Sequence, residues 1–285
     1  MFVVLFMGHG FFFLIFVLCY QKQTESVTSM IANYHTHTWR CHHAGGTERQ
    51  YIESAIAAGI KTLGFSDHTP YPFRGSYYSN YRMYVHQAED YFRTLTDLKA
   101  EYADQIQIRI GVEAEYYPDL FGDLLVLLRQ YPCEYMLMGQ HFVGNEENDH
   151  YVYVPSADPV LLKRYVDQVL EGLETGLFTY LAHPDLFTWR GDEQTYRREM
   201  ERLCLRVKEL GYVVEYNLLG HYDHRNYPTE AFWHIAAQVG NTVILGIDGH
   251  EPEALNRPQT EAEALQFLHG LGIQPIETID LKSIT

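Results

Sequence analysis

From residue 30 onward, short apolar runs alternate with longer amphipathic stretches seven times. The runs are "IANYH" (31 to 35), "KTLGFSDH" (61 to 68), "IQIRIGVE" (106 to 113), "EYMLMGQH" (134 to 141), "FTYLAH" (178 to 183), "YVVEYN" (212 to 217) and "VILGID" (243 to 248). Their length and their β-branched and aromatic content predict buried strands, each followed by a helix. Thr47 with Gln50 reads as a capping box, Asp158 before Pro159 as a helix start, and Thr260 three residues ahead of Glu263 as another. Gly59, Gly176 and Gly211 fall where helices should stop. Strands and helices alternating at these lengths require parallel strands joined by right-handed crossovers, which leaves a barrel or an open doubly wound sheet.

The strand ends separate the two. Six of the seven runs finish on histidine or a carboxylate: His35 with His37, His68, Glu113, His141, His183, and Asp248 with His250. In a β/α barrel the carboxyl ends of all strands converge on one face, whereas in an open sheet they spread along a line. Residues 30 to 285 are therefore expected to form a single α/β domain, a barrel of about seven β/α units, one fewer than the usual eight.

The first 29 residues do not share this pattern. "MFVVLFMGHGFFFLIFVLCY" is apolar, with no basic segment ahead of it. It reads as an upstream extension with Met30 as the true start, as a signal anchor over residues 2 to 20, or as a cleaved signal. The first reading is preferred, with membrane contact only if the anchor is real. Cys19, Cys41, Cys133 and Cys204 form no C-x-x-C pair, which fits reduced thiols in a cytoplasmic protein.

Charge narrows the partners. With 21 Lys and Arg against 37 Asp and Glu, the formal net charge of -16 argues against a surface that grips duplex nucleic acid. The strand-end set suggests how an anion could be held instead. His35 and His37 are two apart on a strand and share a face, so they can chelate one ion, and Asp248 with His250 repeats the device. Imidazoles mixed with a few carboxylates suit Zn, Mn or Fe better than Ca or Mg, and the donor number predicts two or three ions. Only one of His42 and His43 need point inward. Lone histidines such as His86, His150, His221, His234 and His269 read as solvated or hydrogen-bonded residues.

"HTHTWRCHHAGG", "FSDHTPYPF", "GVEAEYYP", "GQHF", "LAHPDLF" and "GIDGH", in this order, resemble the metal-binding motifs of the PHP (polymerase and histidinol phosphatase) superfamily, most closely its histidinol-phosphatase branch. The resemblance covers nearly everything after residue 30, including the segment from "YRMYVHQAEDYF" to "GVEAEYYP". It implies one ion on His35, His37, Glu113 and Asp248, a second on the bridging Glu113 with His141 and His183, and a third on His43, His68 and His250. The implied fold is a distorted seven-unit (β/α) TIM-like barrel, and the implied activity is metal-dependent hydrolysis of a small phosphate monoester, L-histidinol phosphate, in histidine biosynthesis. The branch tends to carry an arginine soon after the "N-x-x-G" turn, whereas here Asn217 and Gly220 are followed by "HYDHR", which displaces it to Arg225 or removes it.

Several roles follow as expectations. Asp248 and His250 stand at the reacting centre, and Arg190 and Arg225, on loops after the fifth and sixth strands, are the candidates for catalytic phosphate contacts. Glu115, two residues beyond Glu113, and the tyrosines at 116 and 117 are candidates for the cationic end of the substrate, with support of the metal shell as the other reading of Glu115. Asp67 is expected to orient a ligand. The rival functions are a phosphodiesterase or exonuclease acting on nucleotides, disfavoured by the lack of a basic and aromatic track, and a non-catalytic domain, disfavoured because every ligand position is filled.

Overall fold

The computed structural model describes residues 30–147 and 150–284. Strands β1 (Ala32–Asn33), β2 (Thr62–His68), β3 (Gln107–Ala114) and β4 (Tyr135–Met138) lie in that order, all parallel. A small antiparallel hairpin, β5 (Phe142–Val143) with β6 (His150–Tyr151), follows β4, and β7 (Val214–Asn217) pairs in parallel with β8 (Val243–Gly246).

Two short connections complete the ring. Met138 N donates to Tyr180 O at 3.0 Å and Ala182 N to Met138 O at 2.8 Å, while Leu181 N donates to Val213 O at 3.1 Å and Glu215 N to Leu181 O at 2.9 Å. Leu181 thus carries the ladder from β4 to β7. On the other side Gly249 N donates to His35 O at 3.2 Å and His37 N to Gly249 O at 2.9 Å, joining β8 to β1. The expected barrel of seven parallel segments is present. The fifth segment differs from its expectation: it is a bridge at Leu181 rather than a strand over 178 to 183, because His183 turns the chain at φ 28° and Pro184 removes the next ladder donor.

Helices α1 (Glu48–Ala58), α2 (Ala88–Glu101), α3 (Pro118–Leu128), α4 (Pro159–Glu174), α5 (Glu193–Glu209), α6 (Leu218–Tyr222), α7 (Glu230–Val239) and α8 (Pro258–Gly270) complete the units. Their signals act locally as chemistry requires. Thr47 and Gln50 satisfy each other's backbone donors at the start of α1, Gly59 ends it in a left-handed conformation at φ 87°, and Asp158 accepts from Val160 N ahead of α4. The start expected at Thr260 lies instead at Pro258, whose fixed φ and missing N–H suit the first helical position. Each helix turns an apolar face inward, as α2 does with Tyr91, Phe92, Leu95 and Leu98.

β4, β7 and β8 are buried at every residue because helices cover one face and the barrel interior fills the other. The lower interior holds Tyr34, Tyr135, Leu137, Tyr180, Val213 and Ile244, and Ile276, Ile279 and Leu281 of the final segment pack beneath them. The apolar filling occupies that end, so the ring is left open at the carboxyl ends of its strands. The apolar run at 1 to 29 lies outside the described residues. Among the described residues no helix is long and apolar enough to cross a membrane.

Candidate metal centre

Strand register brings the ligand types together. β2 and β3 pair so that His68 stands beside Glu113, and the β8-to-β1 connection sets Asp248 against His35 and His37. His35 Nε2 lies 3.5 Å from Glu113 Oε2 and 3.4 Å from Asp248 Oδ1; His37 Nε2 lies 3.6 and 3.0 Å from the same oxygens. All four of these atoms are buried without an aligned hydrogen-bond partner, as is His68 Nδ1, 3.0 Å from Glu113 Oε2. Buried polar atoms are almost always paired, so five that converge without partners mark a place for a cation. The donors fit the expected first ion.

Glu113 Oε1 faces the expected second site, with His183 Nε2 at 2.7 Å and His141 Nε2 at 3.6 Å. The third set is looser. His43 and His250 stack at 4.9 Å and His68 lies 5.2 Å from His43, while His43 itself is exposed at the rim. His42 turns away at φ 69° toward Tyr84, so His43 is the inward member of the pair.

Electrostatics favours added positive charge. Burial opposes ionisation of Glu113, but His141, His35, His68 and His183 around it hold its carboxyl well below the usual range. Asp248 is held down in the same way against its burial, chiefly by His35 and His250. Burial alone would lower His35; Glu215, Asp248 and Glu113 raise it well above the ordinary imidazole value, which is how a carboxylate cage behaves when it must find its own cation. His68 and His250 are pushed well below that value, first by burial and then by His37, and so stand ready as neutral donors.

Behind the donors is a ring of orienting groups. Glu215 Oε2 takes His35 Nδ1 at 2.8 Å and Tyr180 OH at 3.0 Å, and Asn217 Nδ2 spans Glu215 Oε1 and Asp248 Oδ2 at 2.8 and 3.0 Å. Asp67 faces His37 Nδ1 at 3.3 Å and accepts from the Thr38 backbone and hydroxyl, the orienting role expected of it. Two glycines make the room: a Cβ on Gly139 would fall 1.7 Å from Glu113 Oε1, and one on Gly246 2.1 Å from Glu215 Oε2. His183 at φ 28° and Asp248 at φ 54° adopt left-handed backbone at two of the candidate donors, a strain of about 1–3 kcal/mol each that the surrounding fold must hold.

The centre forms the floor of a cavity of about 850 Å³, lined by Tyr81, Tyr151, Tyr153, Tyr222 and Tyr227 and bearing Arg225, Arg257, Asp223 and Glu251 near its mouth. Arg225 lines it, its Nε held by Asp223 at 2.9 Å. Arg190 does not: its backbone is drawn to Ser156 O and its side chain is exposed outside the lining. Glu115 is fully buried behind His141, and of the two tyrosines after it Tyr117 is buried and Tyr116 bonds Glu171, so none of the three faces the cavity. Sequence reasoning missed Glu215, Arg82 and Arg257. Glu215 could have been found as a charge inside an apolar strand, two residues before Asn217 on the same face.

The PHP domain model matches residues 33–218. A probable histidinol-phosphatase of Deinococcus radiodurans is 27% identical over 231 residues, covering 78% of this chain and 87% of its own. The histidinol-phosphatase of Bacillus subtilis is 31% identical over 120 residues, 40% of this chain and 45% of its own. Among solved structures, the histidinol phosphate phosphatase of Lactococcus lactis complexed with zinc, L-histidinol and phosphate aligns with TM-score 0.67 at 17% identity, covering 88% of this chain and 99% of that one.

Proposed function

The chain belongs to the PHP domain family, and from that premise we propose that it hydrolyses a small phosphate monoester, L-histidinol phosphate, to L-histidinol and phosphate. The observation that carries this is the group of buried, unpartnered donor atoms of His35, His37, His68, Glu113 and Asp248 at the floor of a cavity that also presents Arg225. The imidazole and carboxylate mixture suits two or three ions of Zn, Mn or Fe. Such ions supply the positive charge that draws in a phosphate and make a water nucleophilic near neutral pH.

The chain's own groups divide the remaining work. Arg225, oriented by Asp223, is the phosphate contact, in the position the displaced family arginine would take. Asp223 and Glu251 can receive the ammonium of the alcohol, and the tyrosine walls its imidazole. Asn217 and Glu215 hold Asp248 and His35 in place, and Glu115 supports His141 rather than the substrate. Cys41, Cys133 and Cys204 are free and buried, which supports a reducing, cytoplasmic setting.

Phosphate release should be measured on a panel of monoesters and diesters with added Mn or Zn, with metal content determined in parallel. The expected result is more than one transition-metal ion per chain and a preference for histidinol phosphate over uncharged alkyl phosphates. Full activity in excess chelator, or much faster cleavage of a nucleotide or diester, would overturn it.

A further inference from the structure

The loop of residues 69 to 84 gives the cavity its Tyr81 wall, and it also holds an arginine with 1% of its surface exposed. Arg82 uses every donor it has. Nε donates to Glu146 Oε2 at 2.7 Å, Nη1 to Glu115 Oε2 at 2.9 Å and to Thr69 O at 3.4 Å, and Nη2 reaches Glu115 Oε1 at 2.8 Å and Glu146 Oε2 at 2.6 Å. Glu115, itself without exposed surface, passes the interaction on: its Oε1 meets His141 Nδ1 at 2.9 Å, and the other ring nitrogen of His141 is the one that faces Glu113. Glu146 also accepts from Tyr77 OH at 3.0 Å.

We propose that Arg82 is a positioning residue that fixes the ring orientation and tautomer of His141 through Glu115, and that with Glu146 it pins the 69–84 loop and the loop after β5 against the metal centre. This rests on the reading of His141 as a metal ligand. Two carboxylates around one guanidinium leave an excess of negative charge, and the Nδ1–H of His141 is the donor that meets it. A proton held on Nδ1 leaves the Nε2 lone pair free to bind a cation. The neighbouring Tyr81 gains from the same anchor: its ring packs on His43 at 5.1 Å, His68 at 4.6 Å and His141 at 5.4 Å, forming one wall of the cavity. Only a planar fork with five donors can satisfy this set, so lysine, a point charge with three, is not equivalent.

The test uses the full chain loaded with zinc or manganese. Arg82→Met and Glu115→Gln should each weaken the binding of one ion by about 10- to 100-fold while the remaining metal stays bound. The double variant should be little worse than either, because both act along one line. Arg82→Lys should fall between, and Glu146→Gln should weaken the same ion by a smaller factor. In metal-free protein with labelled histidine, the slowly exchanging Nδ1 proton of His141 should be visible by NMR and lost in Arg82→Met, a change that destabilisation of the fold alone would not produce. Wild-type metal affinity and an unchanged His141 proton in Arg82→Met, or in Glu146→Gln should Arg82→Met not fold, would overturn the proposal. His141→Ala separates the two claims: if it keeps the full metal complement, the reading of His141 as a ligand fails, and if it loses an ion that Arg82→Met retains, the inference alone fails.

Discussion

Adding one methyl group at Gly139 tests whether the metal centre is as tightly built as its geometry implies. In Gly139→Ala the new Cβ would lie 1.7 Å from Oε1, 2.5 Å from Cδ and 2.8 Å from Cγ of Glu113. A carbon and an oxygen need about 3.3 Å, so the carboxylate must retreat by roughly 1.5 Å, or the backbone of residue 139 must move by as much. Neither move is cheap. Glu113 is 1% exposed and hemmed in by four histidines, and overpacking at such a site costs about 1–3 kcal/mol. Displacement beyond about 0.5 Å already spoils a preorganised site, and 1 Å has a cost near 100-fold in rate. Gly139→Ala should therefore lose at least about two orders of magnitude in kcat/KM and part of its metal, with a melting temperature lower by several degrees. Gly122→Ala, inside α3 with nothing within 4 Å of its added Cβ, is the control and should be stabilised by about 0.5–1 kcal/mol with full activity. Metal analysis and steady-state kinetics on the two variants decide the matter. If Gly139→Ala keeps its metal and stays within twofold of wild-type activity, the close packing around Glu113 does not govern the centre.

Arg225→Met should lose about one to three orders of magnitude in efficiency with its metal retained, while Arg190→Met should change it less than threefold; the reverse ranking in phosphate-release kinetics would return the phosphate contact to Arg190. Burial lifts the Asp185 carboxyl from 3.8 to about 6 against the hydrogen bonds it accepts from Thr229. Because the folded pKa is the raised one, the stability from this group is complete below about pH 4 and lost as pH rises through 6. The loss amounts to ~3 kcal/mol in metal-free protein, and denaturant titrations should show Asp185→Asn flattening that part of the profile. A chain beginning at Met30 should fold and match the longer form in activity, since the described residues from Met30 onward already close the ring among themselves; loss of activity on removing residues 1–29 would refute this.

The candidate donors were legible because two regularities coincide: short buried-strand runs recur along the chain, and six of the seven end on histidine or a carboxylate. Their supports were hidden for physical reasons. Arg82 lies in a loop without periodicity, and its partners Glu115 and Glu146 are 33 and 64 residues away in sequence. Glu115 was expected to share the cavity with Glu113 by strand parity, but β3 ends at Ala114, and beyond a strand's end parity no longer fixes direction. The loop position of Arg190 said nothing of its aim, which is set by pairing of residues 156 and 189 that no local pattern encodes. The hairpin β5–β6, which brings Tyr151 over the centre, has too few residues to leave an alternating signature.

The closure between β8 and β1 sets the order of events when the protein is made. Ile247 N donates to Asn33 Oδ1 across 214 residues of sequence, and Asp248 completes a site begun by His35 and His37. At ribosomal speeds of roughly 5–20 residues per second, the first two ligands leave the tunnel on the order of ten to forty seconds before the last carboxylate. During that interval a nascent chain carries paired histidines able to bind soft or borderline ions but lacks the enclosing cage that would hold them in the working geometry. The cage of His35, His37, Glu113 and Asp248 therefore exists only once Asp248 has been made, so an ion held by all four is acquired late in synthesis or after it.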